Sequence, residues 1–241
     1  MVKPTPDANP KTHRAILAML SSLPPGAAVL DAPCGSGALT WELLRRGYQA
    51  TPGDACPRRY QVPAPPCHAV DLNQALPFPD NTFHAAVCCE GPQVLENPAQ
   101  AVREFARVLK PGGILVVALP NVANLFSRGR FLLTGFYNKF IRPYDEANGE
   151  GNCHPMTFPE LRYVLHRNGF RVEKVGTNRY KPSHLLPLPV APLVWAATRL
   201  LVLQQCRAPT QRGSGREVAR QMTAFPLLFG EALVLRAAVV K

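Results

Sequence analysis

The chain is predicted to be an α/β fold, a doubly wound sheet of mostly parallel strands, and three observations carry that reading. Apolar runs of strand length (Val29-Leu30 closing on Asp31, Phe83 to Cys89, Ile114 to Leu119) alternate with stretches of helical spacing such as Ala99 to Leu109. The first run passes through a bend of small residues, Ala32-Pro33-Cys34-Gly35-Ser36-Gly37, and enters a helical stretch at Ala38-Leu39. That order of strand, glycine turn and helix start is Rossmann-like, because glycines there admit positive φ and let a ligand approach the main chain. Finally, Gly53-Asp54 places a second carboxylate 23 residues beyond Asp31, close to the offset of roughly 20 expected of an acid that holds ribose hydroxyls.

Composition sets the bounds. A length of 241 residues with 46% hydrophobic and 18% charged content describes one folded domain with its own core, and 26 prolines predict long or rigid loops. The net charge of +11 is unevenly spread: 7 Lys+Arg stand against 8 Asp+Glu through residue 100, and 20 against 8 beyond it. A basic second half points to an anionic partner, whether nucleic acid, a phospholipid surface or a charged substrate, although general solubility explains part of the excess. The seven cysteines form no CxxC pair and no zinc spacing, so no metal site is expected. Reduced thiols and an N-terminus without an apolar core predict a cytoplasmic protein.

Along the chain, residues 1 to 12 read as a loose arm, followed by an amphipathic helix from Arg14 to Leu23. A helix from Leu39 to Arg46, a strand near Gln49 to Gly53 and a short strand from Cys67 to Leu72 follow. Phe83 to Cys89 reads as a central strand covered on both faces, with His84 structural and Cys88 and Cys89 inert packing residues. The helix over Ala99 to Leu109 is closed by Lys110-Pro111-Gly112-Gly113. Thr157 and Glu160 form a capping box for a helix stopped by Asn168-Gly169, and Arg171 to Gly176 is a strand. Gln211 to Gln221 is polar and read as mobile.

The strings VLDAPCGSGALT, GYQATPGDA, VDLNQALPFPDNTFHAAVCCEG, LENPAQAVREFARVLKPGGILVVALPN and HPMTFPELRYVLHRNGF, in this order, resemble class I S-adenosylmethionine-dependent methyltransferases. The branch is the broad one that includes quinone-biosynthesis-like and glycan- or lipid-pathway enzymes. The resemblance spans about Arg14 to Val175. It implies S-adenosyl-L-methionine as cofactor, with S-adenosyl-L-homocysteine as product, and an antiparallel C-terminal edge strand over Ala232 to Val240. Asp31, with Ala32 and the main chain at Gly35 and Gly37, would hold the methionine part. Asp54 would hold the ribose hydroxyls, Asp71 and Leu72 the adenine, and Glu90 would complete the set. Relatives often carry Glu-His where Gln93-Val94 stand, so an imidazole available to them is absent here.

On this reading residues 13–120 form the cofactor core of a single domain and 121–156 a substrate-side lid, whose Arg128, Arg130, Lys139, Arg142, Tyr137 and Tyr144 suit an anionic or sugar-like acceptor, a solvated helix face being the plainer alternative. His154, at the junction of lid and helix, is the candidate general base, the plainer alternative being a capping or packing role. The apolar stretch from Leu185 to Leu203, within an insertion over 184–205, carries Pro187, Pro189, Pro192 and Arg199. It reads either as a surface-lying element on the inner membrane face or as a hydrophobic lid or homodimer face. The favoured acceptor is a small, lipid-linked or saccharide molecule methylated at oxygen. A nucleic-acid (tRNA) methyltransferase and a catalytically silent cofactor-binding scaffold stand as alternatives.

Overall fold

A computed structural model describes residues 3–140, 154–206 and 209–240. Arg142, Tyr144 and the remainder of the lid over 141–153 lie outside the described residues.

The chain opens with α1 (Pro10–Met19), β1 (Ala28–Asp31), α2 (Ala38–Arg45), β2 (Gln49–Asp54), β3 (His68–Ala69) and β4 (Phe83–Cys89). It continues through α3 (Pro98–Val108), β5 (Leu109–Pro120), α4 (Leu125–Thr134), α5 (Phe158–Arg167), β6 (Phe170–Thr177) and α6 (Pro182–Leu185). It closes with α7 (Ala191–Gln205), α8 (Pro209–Met222), α9 (Phe225–Phe229) and β7 (Ala232–Val239). The strands form one sheet in the order β3-β2-β1-β4-β5-β7-β6, with β1 parallel to β2 and β4, β5 parallel to β4, and β7 antiparallel to both its neighbours. Strand order therefore reverses beside β1, which opens a crevice at the carboxyl ends of β1 and β4.

Each face of the sheet carries its own apolar layer. Ile16, Leu17 and Leu20 of the first helix and its cap, with Leu39 and Leu43 of α2, cover Val29, Val87 and Val116. Phe105 of α3 with Phe158, Leu161 and Leu165 of α5 covers Leu30, Ala86 and Leu115 on the other side. Burial on both faces explains why β4 and β5 read as continuous apolar runs.

Several expectations shift. The N-terminal arm is docked rather than loose: the Ser36 hydroxyl donates to Thr5 O at 2.7 Å and the Ser36 N–H to Asp7 Oδ2 at 2.9 Å. The first helix begins at Pro10 instead of Arg14 because Asn9 caps it, its side chain accepting from Lys11 N–H, with proline at the first turn. Lys110 to Gly113 do not cap a helix. Leu109 already pairs with Phe83, and Gly112 at φ +72° makes an irregularity within β5. The third strand is only two residues long, because Asp71 Oδ1 accepts from Asn73 N–H at 2.9 Å and turns the chain. The antiparallel C-terminal strand is present but lies one strand in from the edge, between β5 and β6, where its apolar run is buried from both sides. The polar stretch from 211 to 221 belongs to α8, whose Gln221 accepts from Arg162 Nε at 2.9 Å.

Two local readings hold. Thr157 and Glu160 form the capping box. His84 ties strands together: its Nδ1 accepts from Ala28 N–H at 3.0 Å and its Nε2 lies 3.0 Å from Lys110 Nζ.

Candidate functional site

The crevice contains a cavity of about 420 Å³. Five carboxylates reach its wall, those of Asp7, Asp31, Asp54, Asp71 and Glu90, with Arg59 and His13 as the basic groups there. In a chain of net charge +11 that is a local inversion of sign, and an acid-rich concavity selects for a cationic guest.

Asp31 is fully buried at the end of β1. Its Oδ2 accepts from the Thr40 hydroxyl at 2.6 Å, while Oδ1 has no partner among the described residues. Burial raises its pKa to about 7, against the opposing pull of the Thr40 hydrogen bonds. A buried acid left half-satisfied at a cavity wall is a site awaiting a donor.

Asp54, at the end of β2, braces the glycine turn, its Oδ2 accepting from Gly35 N–H at 2.8 Å and its Oδ1 from Cys56 N–H at 2.8 Å. The turn depends on its glycines. Gly35 has φ +53° and Gly37 φ +84°, and a Cβ on Gly37 would strike the Tyr60 ring and Val62. The turn's N–H groups are therefore already engaged, at Gly35 by Asp54, at Ser36 by Asp7 and at Gly37 by Cys34 O. The main chain at Gly35, read from sequence together with that of Gly37 as holding the methionine part, lines the cavity, and Gly37 does not.

Asp71 and Leu72 follow β3 and line the cavity, Asp71 exposed and Leu72 buried. Asp71 is both cavity wall and turn cap. Glu90 ends β4 at φ +56°, a conformation uncommon for a residue with a Cβ. Burial raises its pKa while Lys139 and a 2.6 Å hydrogen bond from Gln93 Nε2 oppose the rise. Ala32 and Gly37 are not part of the lining. His154 is not part of the lining, and its backbone N–H donates to Gln93 O at 2.9 Å, in the segment that borders the cavity after Glu90.

Sequence reasoning missed Asp7, His13 and Arg59. His13 was recoverable, since it precedes Ile16 and Leu17 by one helical turn and shares their face. It is buried, and burial followed by the charge of Lys3 lowers its pKa. Asp7 and Arg59 meet at 3.3 Å across the glycine turn, a tertiary contact with no local signature. The cavity also holds Cys34, whose Sγ lies 3.5 Å from that of Cys67. Cys88 and Cys89 are buried thiols, Cys88 pushed up to about 12 by burial, in keeping with packing and not nucleophilic roles. Among the described residues no group of three or more metal-ligating side chains is assembled.

Residues 30–117, which contain the glycine turn and the ends of β1, β2 and β4, match the family described as "Methyltransferase domain". A demethylmenaquinone methyltransferase of Tropheryma whipplei (strain Twist) is 34% identical over 123 residues, 48% of this chain and 49% of that protein. A ubiquinone biosynthesis O-methyltransferase of Xanthomonas axonopodis pv. citri is 27% identical over 206 residues, covering 75% of this chain and 77% of the relative. The chain thus matches about half the length of the first of these relatives. A crystal structure of a SAM-dependent methyltransferase from Archaeoglobus fulgidus superposes with a TM-score of 0.58 at 15% identity, over 94% of this chain and 92% of that one, which is a likeness of fold.

Proposed function

From the premise that this chain carries a class I S-adenosylmethionine-dependent methyltransferase domain, we propose that it transfers a methyl group from S-adenosyl-L-methionine to a small, lipid-linked acceptor, at oxygen. The observation that carries the reading is the acid-lined cavity at the strand-order reversal, with the half-satisfied carboxylate of Asp31 in its wall. Its relatives act in quinone pathways by name, which favours a ring-bearing acceptor on an apolar tail.

The residues fit the cofactor. Asp31 has an open acceptor oxygen suited to a donor such as an ammonium. Asp54 keeps lone pairs beyond its two backbone donors and suits vicinal hydroxyls. Leu72 gives an apolar wall beside Asp71, a combination suited to an adenine and its exocyclic amine. When bound, the cofactor supplies a methyl carbon already activated by a sulfonium leaving group. The protein's tasks are then to hold the acceptor in line, to exclude water and to take a proton from a hydroxyl acceptor. His154 is assigned that last task, because its backbone is anchored to the segment that lines the cavity after Glu90.

The test is product partition. Incubating a cell extract with methyl-tritiated cofactor and the protein is expected to place label in the lipid phase. Label in nucleic acid would replace this reading with the tRNA alternative, and absence of transfer despite bound cofactor would favour the silent scaffold.

A further inference from the structure

The second feature of the molecule is an uncovered apolar face. The stretch Pro182–Val202 is long and apolar enough to cross a membrane by length and composition, with a mean hydropathy of 1.7, and His184 is its one buried residue. It is not built to span: Pro187 and Pro189 stand between α6 and α7, Pro192 opens the first turn of α7, and Arg199 interrupts its apolar run. One side is tied to the body, where Leu185, Ala191 and Val194 pack on Leu125, Leu228 and Phe229. The other side offers Leu186, Leu193 and Leu200 to solvent, at 75%, 70% and 60% exposure. Beside it, α4 meets α6 through stacking of Phe126 on His184 at 5.1 Å. The same helix ends in Leu132 and Leu133, each 84% exposed. Exposed leucines thus stand on both α4 and the α6–α7 stretch, elements that meet at Phe126 and His184.

Charge identifies what covers it. Between α7 and α8 lies a cavity of about 550 Å³ lined by Arg199, Arg216 and Arg220, with no acid in its wall among the described residues. The helices approach closely there, since a Cβ on Gly215 would come within 2.8 Å of Cys206 Cβ. Arg199 is held by stacking on Trp195, 4.1 Å from the ring centroid. Glu217 of the same helix is instead engaged near Arg162 at 3.8 Å. Guanidinium groups in a cavity without carboxylates, adjoining exposed leucines, are complementary to phosphates above an acyl layer.

We propose that the tip of α4 together with α6 and α7 seats on an anionic phospholipid bilayer, with Arg199, Arg216 and Arg220 taking lipid phosphates. The proposal deepens the lipid-linked acceptor reading and rests on it for its purpose, since an acceptor with an apolar tail resides in that surface.

Vesicle flotation tests it, using phosphatidylcholine alone and phosphatidylcholine mixed with phosphatidylglycerol. The protein is expected to float with the mixed vesicles and to lose binding as salt rises. Replacing Arg199, Arg216 and Arg220 together by Gln is expected to weaken that binding roughly a hundredfold, about fivefold per charge. Leu133→Ser, at a side chain with almost no contacts to lose on folding, is expected to weaken it roughly tenfold. Both variants should keep wild-type affinity for S-adenosylhomocysteine, which reports on folding and cofactor site separately. Failure of wild-type protein to float, equal flotation with both vesicles, or variants that float like wild type would overturn the proposal. So would a concentration-dependent dimer abolished by Leu133→Ser, which would assign the face to a second copy. Loss of homocysteine-product binding in a protein that still floats would overturn the methyltransferase reading and leave this one standing.

Discussion

Asp31→Asn is the perturbation from which most can be learned. In the unfolded chain the Asp31 carboxyl ionises near its ordinary value of 3.8, and in the fold near 7, because burial outweighs the Thr40 hydrogen bonds. Between those two pH values the folded state keeps a proton that the unfolded state releases. Stability therefore falls as pH rises through the window, and the whole cost is in place above about pH 7. The span from 3.8 to about 7 corresponds to roughly 4 kcal/mol. Asparagine keeps an oxygen for Thr40 and carries no charge, so the variant should lack this component: less stable than or equal to wild type near pH 4, and more stable by roughly 2 to 4 kcal/mol near pH 8. Its affinity for S-adenosylhomocysteine should fall at least tenfold, since a neutral amide replaces the carboxylate on which the proposed site relies. Urea unfolding of both proteins across that pH range, with calorimetry beside it, reads both effects. Parallel stability curves for the two proteins, or a variant that binds ligand as tightly as wild type, would refute the reasoning.

Three further outcomes follow from the same geometry. Gly37→Ala forces a Cβ into positive φ and against Tyr60 and Val62, and is expected to cost roughly 1 to 3 kcal/mol in urea unfolding, with ligand affinity falling as the turn shifts. Glu231 is buried, and although burial raises its pKa, the hydrogen bonds of Arg179 and Lys181 prevail and hold it at about 2. The stability it contributes is present above the ordinary glutamate value of 4.5 and is lost as pH falls toward 2. Glu231→Gln should remove roughly 2 to 4 kcal/mol near neutral pH and flatten the acid limb of the denaturation profile. His154→Ala is expected to lower turnover by roughly a hundredfold or more while leaving S-adenosylhomocysteine affinity unchanged in calorimetry; equal loss in both would make the residue structural.

How much of this was legible in the sequence depended on the range of the interaction. The strand, glycine turn and helix around Asp31 were readable because their signals are local: apolar period, positive-φ glycines, an acid at the strand end. The same holds for the capping box at Thr157 and Glu160. Register was not readable. Nothing local tells Ala232–Val239 that it will insert between β5 and β6 instead of closing the edge, and Lys110 to Gly113 carry the same residues whether they cap a helix or distort a strand. Alignment along the chain also hid how the cavity is completed. Asp7 reaches Ser36 across the fold, and this contact, with Gly35 held by Asp54, engages N–H groups of the turn in a way no local pattern marks. Of the basic and aromatic groups expected in the lid, Arg128 is occupied locally, its Nε donating to Ala123 O at 2.6 Å, and Tyr137 stacks on Phe131 at 4.3 Å.

The central claim is that the acids at the ends of β1 and β2 cup an adenosyl sulfonium ligand. Titrating pure protein with S-adenosylhomocysteine in an isothermal calorimeter addresses it most directly, with Asp31→Asn and Asp54→Asn run alongside. The account predicts saturable binding of one ligand per chain and weakening of at least tenfold in each variant. No heat from the wild-type protein, or binding that neither substitution disturbs, would contradict it.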